Sequence, residues 1–457
     1  MRNEELSTLI NNQRRFVQSG KTLSYKSRKS LLLKLKTLIK QNKNAIAKAL
    51  YQDLGKSEIE SYMSELQLLL SQLNYTVRHL KRWMKKKRRR TPLVHFPAKS
   101  YQMGEPYGVV LIMVPWNYPF LLALNPLIGA FAAGNCVVLK PSEFAPNSSQ
   151  LLFELLSNNF DKNNLVVVQG AIKESSELLE NRFDYIFFTG SSAVGKIVYA
   201  KAAQNLTPVT LELGGKSPAI IDATADIALS AKRVVFGKFL NSGQTCVAVD
   251  YLLVEEKVKE QLLSSLVEEI KKAFVDENYA DYPKIINKGH FDRLLELIDK
   301  DKIYYGGTFD EKKLKIYPTI LNNISFDSPI MQQEIFGPLL PVLSFTNFEK
   351  TIEQLQTLDK PLSLYIFTKD KNHKEQVLKN LSFGGGCVND TVIHMATPYS
   401  SFGGVGNSGI GSYHGKKSFD TFSHYKTILE KSTLIDLPFR YHPYTKFKQF
   451  VIKLLVK

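Results

Sequence analysis

The chain has 457 residues, 44% of them hydrophobic and 23% charged, and a net charge of +17 from 60 basic and 43 acidic side chains. This is globular composition, and the length is too great for one hydrophobic core, so two or three domains are expected. No run of about 18 consecutive apolar residues occurs, which excludes a membrane-spanning helix. The three cysteines, Cys136, Cys246 and Cys387, are far apart and form no CxxC pair. They point to a reducing cytoplasm rather than to a disulfide framework, and no metal site is expected. The first residues, Met1 to Leu6, carry acids where a signal peptide needs an apolar run.

In chain order, residues 1 to about 84 read as helices, with apolar positions at i, i+3 and i+4 in Ser30–Lys36 and Ala45–Leu54. Eight of the ten residues from Lys81 to Arg90 are Lys or Arg. Without an RNA-binding, helix-turn-helix or zinc-finger pattern beside it, this run reads as a solvated basic surface, and no nucleic-acid partner is expected. From 88 to 103 the chain becomes extended and proline-interrupted, an arm leaving the domain body.

Short β-branched or aromatic runs then alternate with helical segments: Val109–Val114, Val137–Leu139, Leu165–Val168 and Tyr185–Phe188. A second series contains Val209–Leu213, Ala219–Ile221, Tyr251–Val254, Leu339–Phe345, Ser363–Phe367 and Gly386–Val388. This alternation predicts an α/β fold with mostly parallel, doubly wound sheets and a soft domain change near residue 210. Ligands of such sheets bind beyond the carboxyl ends of the strands, so the residues following each run are the candidates.

After the first run, Asn117 lies in Pro115-Trp-Asn-Tyr-Pro119 and could donate to a developing oxyanion or cap its own turn. After the second, Lys140 and Glu143 could bind ribose hydroxyls or form a surface ion pair. After Phe188, the segment Thr189-Gly190-Ser191-Ser-Ala-Val-Gly195 opens a helix, whose backbone N–H groups and dipole suit an anion. Glu212, followed by Leu213 and two glycines, suits a general base or a turn residue. Cys246 ends the polar turn Asn241-Ser-Gly-Gln-Thr-Cys246, after a helix expected over Ala225–Leu240. Alone, it is a nucleophile or a small space-filling residue, as free cysteines often are. Glu334 and Phe336 occupy a Gly-Pro turn, Gln333-Glu-Ile-Phe-Gly-Pro338.

Singly weak, these motifs are specific in their order. Together, Pro115–Pro119, Lys140-Pro-Ser-Glu143, Phe188-Thr-Gly-Ser191, Glu212-Leu-Gly-Gly215, Gly243-Gln-Thr-Cys246 and Glu334-Ile-Phe-Gly-Pro338 resemble the aldehyde dehydrogenase superfamily over essentially the whole chain. Val388-Asn-Asp-Thr391, His394-Met395 and Gly404–Gly409 with Tyr413-His-Gly415 are most similar to its class 3 branch. Val249 departs from that branch, where proline is frequent, with an effect expected only on loop stiffness or pocket shape.

The resemblance implies the aldehyde dehydrogenase fold. Residues 1–87 and 104–210 would form a Rossmann-like cofactor domain and 211–417 an α/β catalytic domain. Residues 88–103 and 418–457 would form an oligomerisation arm and tail. It implies oxidation of medium-chain, fatty or aromatic aldehydes with NAD, or NADP, as cofactor. Cys246 would be the nucleophile, Glu212 the general base, and Asn117 with the Cys246 backbone N–H the oxyanion donors. Lys140 and Glu143 would hold the adenosine ribose, and Gly190, Ser191 and Gly195 would follow the pyrophosphate. Glu334 would hold the nicotinamide ribose with Phe336 beside it, and Cys136 and Cys387 would pack. A homodimer is implied, with the arm pairing to a C-terminal segment.

A rival thiol hydrolase would need a histidine base, and none of the eight histidines lies in a motif for it. In the tail, Phe447, Phe450, Val451, Leu454 and Leu455 fall at helical spacing among lysines. Such a helix either packs on protein or lies on an anionic membrane surface, which would make the protein cytoplasmic with a peripheral membrane contact.

Overall fold

The computed structural model describes residues 3–274 and 281–455. The helices Tyr25–Gln41, Lys43–Leu54 and Gln67–Trp83 bury one stripe each, such as Leu32, Leu35 and Ile39, as their periodicity requires. Lys43–Leu54 packs on the helix Pro146–Ser157, and the first and third pack on the helix Pro119–Ala133, every residue of which is buried. A helix apolar all round must be enclosed, and this one ends at Gly134 in the left-handed region.

Two sheets form the body. The first runs in the order Gly409–Ile410, Val209–Glu212, Tyr185–Thr189, Val109–Met113, Cys136–Lys140, Leu165–Val167. All its pairings are parallel except the two-residue edge strand Gly409–Ile410, which is antiparallel to Val209–Glu212. The second runs Ile303–Tyr305, Thr319–Leu321, Leu339–Phe345, Tyr251–Glu255, Pro218–Ile221, Ser363–Phe367, Gly385–Val388. The expected runs all appear as strands, with ends that differ by at most one residue. The very short edge strands Ile303–Tyr305 and Gly409–Ile410 escaped the sequence reading because two or three residues carry no alternation. Val249 is fully buried in the core beside the second sheet.

The extended arm forms a three-stranded antiparallel sheet, Lys87–Arg89, Ala98–Pro106 and Ser423–Lys431. Here the arm pairs with a C-terminal segment of its own chain. The tail helix runs from Lys446 to Leu455, and none of its residues is buried. Within the chain it lies against Leu93–His95 and Pro438–Arg440.

Parallel register decides what the first sheet presents. Met113 lies beside Lys140 and beside Phe188, and Thr189 lies beside Glu212. The residues that follow these strands, Asn117, Glu143, Gly190 and the Glu212 carboxylate itself, therefore share the carboxyl edge of one sheet.

Candidate active site

The helix before the cysteine spans Ile227–Phe239, shorter than its apolar pattern suggested, because Asp226 caps it by accepting the Leu229 N–H at 3.1 Å. Beyond it Asn241, Ser242 and Gly243 take φ values of 52°, 55° and 72° in succession. Two non-glycine residues in this region are costly, and such strain persists only where surrounding contacts enforce it. At Gly243 a side chain is impossible, since a Cβ would stand 2.3 Å from the Gly337 carbonyl oxygen.

The enforcing contacts stitch this loop to the Asn117 turn. Asn117 Nδ2 donates to the Gln244 carbonyl at 3.0 Å, and Asn241 Nδ2 donates to the carbonyls of Asn117 and Gln244 at 2.9 and 3.1 Å. Asn117 thus reaches across to the cysteine loop and does not cap its own turn. The Gln244 side chain donates to the Lys284 carbonyl and accepts the Ile286 N–H, both at 3.0 Å. Tyr118 and Thr245 share a hydroxyl hydrogen bond of 2.6 Å.

Beneath both turns lies a group that the sequence reading missed. Lys56, 0% exposed, donates to Glu65 Oε1 at 3.0 Å and to the Asn117 carbonyl at 2.9 Å, with its ammonium 3.8 Å from the Tyr118 ring centroid. Glu65 also accepts the N–H groups of Phe120 and Leu121 at 2.9 and 3.0 Å. Glu60 accepts the Asn241 N–H at 2.8 Å. Lys56 lies in the link after the helix Lys43–Leu54, Glu60 in the short helix Glu58–Ser61 and Glu65 in the π-helical turn Tyr62–Leu66. None belongs to a motif, and only tertiary packing brings them under residues 117 and 241.

Cys246 is half-buried. Burial pushes its thiol up to about 12, and the nearby charges of Glu334 and Glu212 add to the rise, against the N–H groups of Cys246 and Val247 that favour the thiolate. Glu212 is 3% exposed, and neither of its carboxylate oxygens has a hydrogen-bond partner. Burial alone holds it well above the usual carboxylate range. A buried carboxyl with both oxygens unpartnered is costly, and Glu212 is the last residue of the strand Val209–Glu212 rather than part of the turn after it. Cys136 is buried in its strand. Among the described residues the cysteine–histidine contact is at Cys387, whose Sγ lies 3.6 Å from His394 Nδ1. Cys387 is therefore not merely packed, but burial raises its thiol and lowers His394 to about 4, so neither is charged at neutral pH.

Glu334 reaches back toward the first sheet, and a Cβ on Gly214 would stand 2.1 Å from its Oε2. Burial first, and then the Asp250 charge, raise its carboxyl to about 8, while the Gly215 N–H, Lys216 and Arg293 oppose the rise. Glu334, Gly214, Gly215, Ser192, Lys196 and Lys216 line a cavity of about 690 Å³ that does not reach Cys246, Glu212 or Asn117. Phe336 has a φ of 50° and packs edge-on against Trp116 at 5.4 Å.

Along the other strand ends, Lys140 is buried, with Nζ 2.8 Å from the Pro141 carbonyl and 3.6 Å from Glu143 Oε2. It is a buried lysine at a strand end, not a surface ion pair. Ser191 caps the helix Ser192–Gln204 by accepting the Val194 N–H, and the Gly190 N–H donates to the Glu212 carbonyl at 3.1 Å. Gly195 lets that helix lie against Leu213, which a Cβ would meet at 2.6 Å.

The model of the family described as "Aldehyde dehydrogenase family" matches residues 1–428. A 4,4'-diaponeurosporen-aldehyde dehydrogenase of Staphylococcus aureus (strain NCTC 8325 / PS 47) is 47% identical over 439 residues, covering 95% of each chain. A rat (Rattus norvegicus) protein named "Aldehyde dehydrogenase, dimeric NADP-preferring" is 43% identical over 435 residues, 94% of this chain and 95% of its own. Among solved structures, the substrate-bound state of Staphylococcus aureus AldH superposes with a TM-score of 0.97 at 45% identity, covering 99% of both chains. The chain belongs to the aldehyde dehydrogenase family, whose cofactor is NAD(P), and its similarity lies with the class 3 members.

Proposed function

We propose that the protein oxidises medium-chain, fatty or aromatic aldehydes to carboxylic acids through a thiohemiacetal and then a thioester on Cys246. The observation that carries this reading is the unpartnered, buried Glu212 carboxyl close enough to raise the Cys246 thiol. Asn117 Nδ2 gives one N–H to Gln244, which leaves the other, with the Cys246 N–H, to meet the oxyanion formed when sulfur adds to the carbonyl carbon. NAD(P), when bound, supplies the hydride acceptor that no side chain provides. Glu212, as its carboxylate, then takes a proton from the water that attacks the thioester, and Cys246 is released.

The residues present fit that cofactor. The Ser191-capped helix start offers backbone N–H groups to a pyrophosphate, and Lys140 with Glu143 offers a cation and an acceptor to a ribose. Glu143 in that role favours NAD over NADP, though both would be accepted. Glu334, beside Gly214, and Phe336, against Trp116, would hold the second ribose and its base. We read 1–87 with 104–210 as the cofactor unit, 211–417 as the catalytic unit, and 88–103 with 418–457 as arm and tail. The short strand Gly409–Ile410 is a return of the chain to the first sheet. The rat relative's name, with its word "dimeric", supports a homodimer, and light scattering near the 51.8 kDa chain mass would contradict it. The separated cysteines support a cytoplasmic setting.

The test is Glu212→Gln mixed rapidly with NAD and hexanal or benzaldehyde. One equivalent of reduced cofactor should form in a burst, followed by slow turnover, with an acyl adduct on Cys246 in the mass spectrum. Undiminished steady turnover would overturn the assignment. The Staphylococcus aureus relative's name puts 4,4'-diaponeurosporen-al among the aldehydes to screen.

A further inference from the structure

Two stretches of this chain contain no Asp or Glu: 81–104, with nine basic residues, and 437–457, with five. They are more than 300 residues apart in sequence, yet the fold brings them together. The strand Lys87–Arg89 leads into a connection whose tip, Leu93–His95, lies beside the tail helix Lys446–Leu455. Along that helix Phe447, Phe450 and Leu454 stand at i, i+3 and i+7, and each is about two-thirds exposed, at 68%, 65% and 64%. Leu93 and Phe96 at the arm tip are exposed as well, at 72% and 57%. At 100° per residue Lys446 and Lys453 lie together along one side of this apolar stripe.

We propose that the arm tip and the tail helix form one docking surface for an anionic lipid membrane. The surface joins exposed apolar side chains to two cationic stretches that themselves contain no carboxylate, and those two properties together select the partner. Asp436, 3.5 Å from Arg440, stands at the edge of one stretch. Two copies of this same surface facing each other would bring like charge together, which opposes association, so the homodimer proposed above would use the strands of the arm rather than its tip and the tail helix. A nucleic acid would match the charge but leave the phenylalanine and leucine side chains in water. Anionic lipid satisfies both, since the apolar face enters the boundary of the acyl chains while the lysines stay among headgroup phosphates. Among the described residues no helix is long and apolar enough to cross a membrane, so the contact lies in the plane of the interface. The inference does not rest on the chemistry assigned to Cys246.

The experiment is co-sedimentation of the full chain with vesicles of phosphatidylglycerol and phosphatidylcholine in equal parts, against vesicles of phosphatidylcholine alone. The protein should pellet with the anionic vesicles only, and raising salt should release it. The triple variant Phe447→Ser, Phe450→Ser, Leu454→Ser and the double variant Lys446→Gln, Lys453→Gln should each bind at least tenfold more weakly. Both should keep the turnover of a water-soluble aldehyde and the parent's mass in light scattering, which separates loss of docking from loss of folding. Failure of the parent to pellet, or equal binding by the variants, would overturn the proposal. A lower particle mass for the serine variant would assign the face to a second copy instead.

Discussion

Replacing Glu334 with Gln should stabilise the protein, increasingly so as pH rises from 5.5 to 8. The folded carboxyl titrates near 8 against 4.5 for an ordinary glutamate, because burial and the Asp250 charge resist its ionisation. Between those two values the unfolded chain has released the proton and the folded chain still holds it. Stability therefore falls as pH rises through this window, by up to about 1.4 kcal/mol per pH unit. The full window bounds the effect at about 5 kcal/mol, and solvent reaching this half-buried group brings the expectation to about 2–3 kcal/mol. Gln keeps the volume and an oxygen for the Gly215 N–H but cannot ionise, so its stability should lack this slope. Urea denaturation of both proteins at half-unit intervals from pH 5.5 to 8.5 measures the difference, provided the m-values agree. Curves that run parallel across the range would refute the reasoning. The same substitution should weaken NAD binding if Glu334 holds a ribose, an instance of a site residue retained at a cost in stability.

Cys246→Ala should abolish both aldehyde oxidation and ester hydrolysis while leaving NAD affinity, read by fluorescence titration, within about twofold; retained turnover would remove Cys246 from the mechanism. Alkylation of Cys246 by iodoacetamide in the cofactor-free protein should rise about tenfold per pH unit from pH 7 to 9, since the thiol is held near 12. A plateau below pH 9 would show that its surroundings favour the thiolate after all. Lys56→Met leaves Glu65 buried without its cation, and breaking such a pair costs about 3–5 kcal/mol. Because Lys56 also holds the Asn117 carbonyl, kcat should drop more than KM rises; a stability loss with unchanged kcat would confine Lys56 to folding.

The strands and the polar residues at their ends were legible because each rests on local chemistry. Apolar runs such as Val109–Met113 are buried on both faces of a parallel sheet and read as continuous hydrophobic segments. The residues after them must then sit at the carboxyl edge, which is why Asn117, Lys140, Gly190 and Glu212 could be named from order alone. Helix limits depended on caps, and the Asp226 cap moved one by two residues.

What the sequence determined by itself is thus the fold class, the parallel sheets and the set of polar residues at their ends, since periodicity and turn chemistry are properties of neighbours along the chain. Tertiary structure alone decided how those residues are held and how they titrate. Lys56 and Glu65 come under the Asn117 turn through long-range packing, and Asn241 keeps its left-handed backbone because partners at 60 and 117 enforce it. The raised carboxyls of Glu212 and Glu334 and the raised Cys246 thiol are products of burial and of charges distant in sequence. So is the meeting of the basic arm with the apolar tail helix, because desolvation and contact between remote segments exist only once the chain has closed on itself.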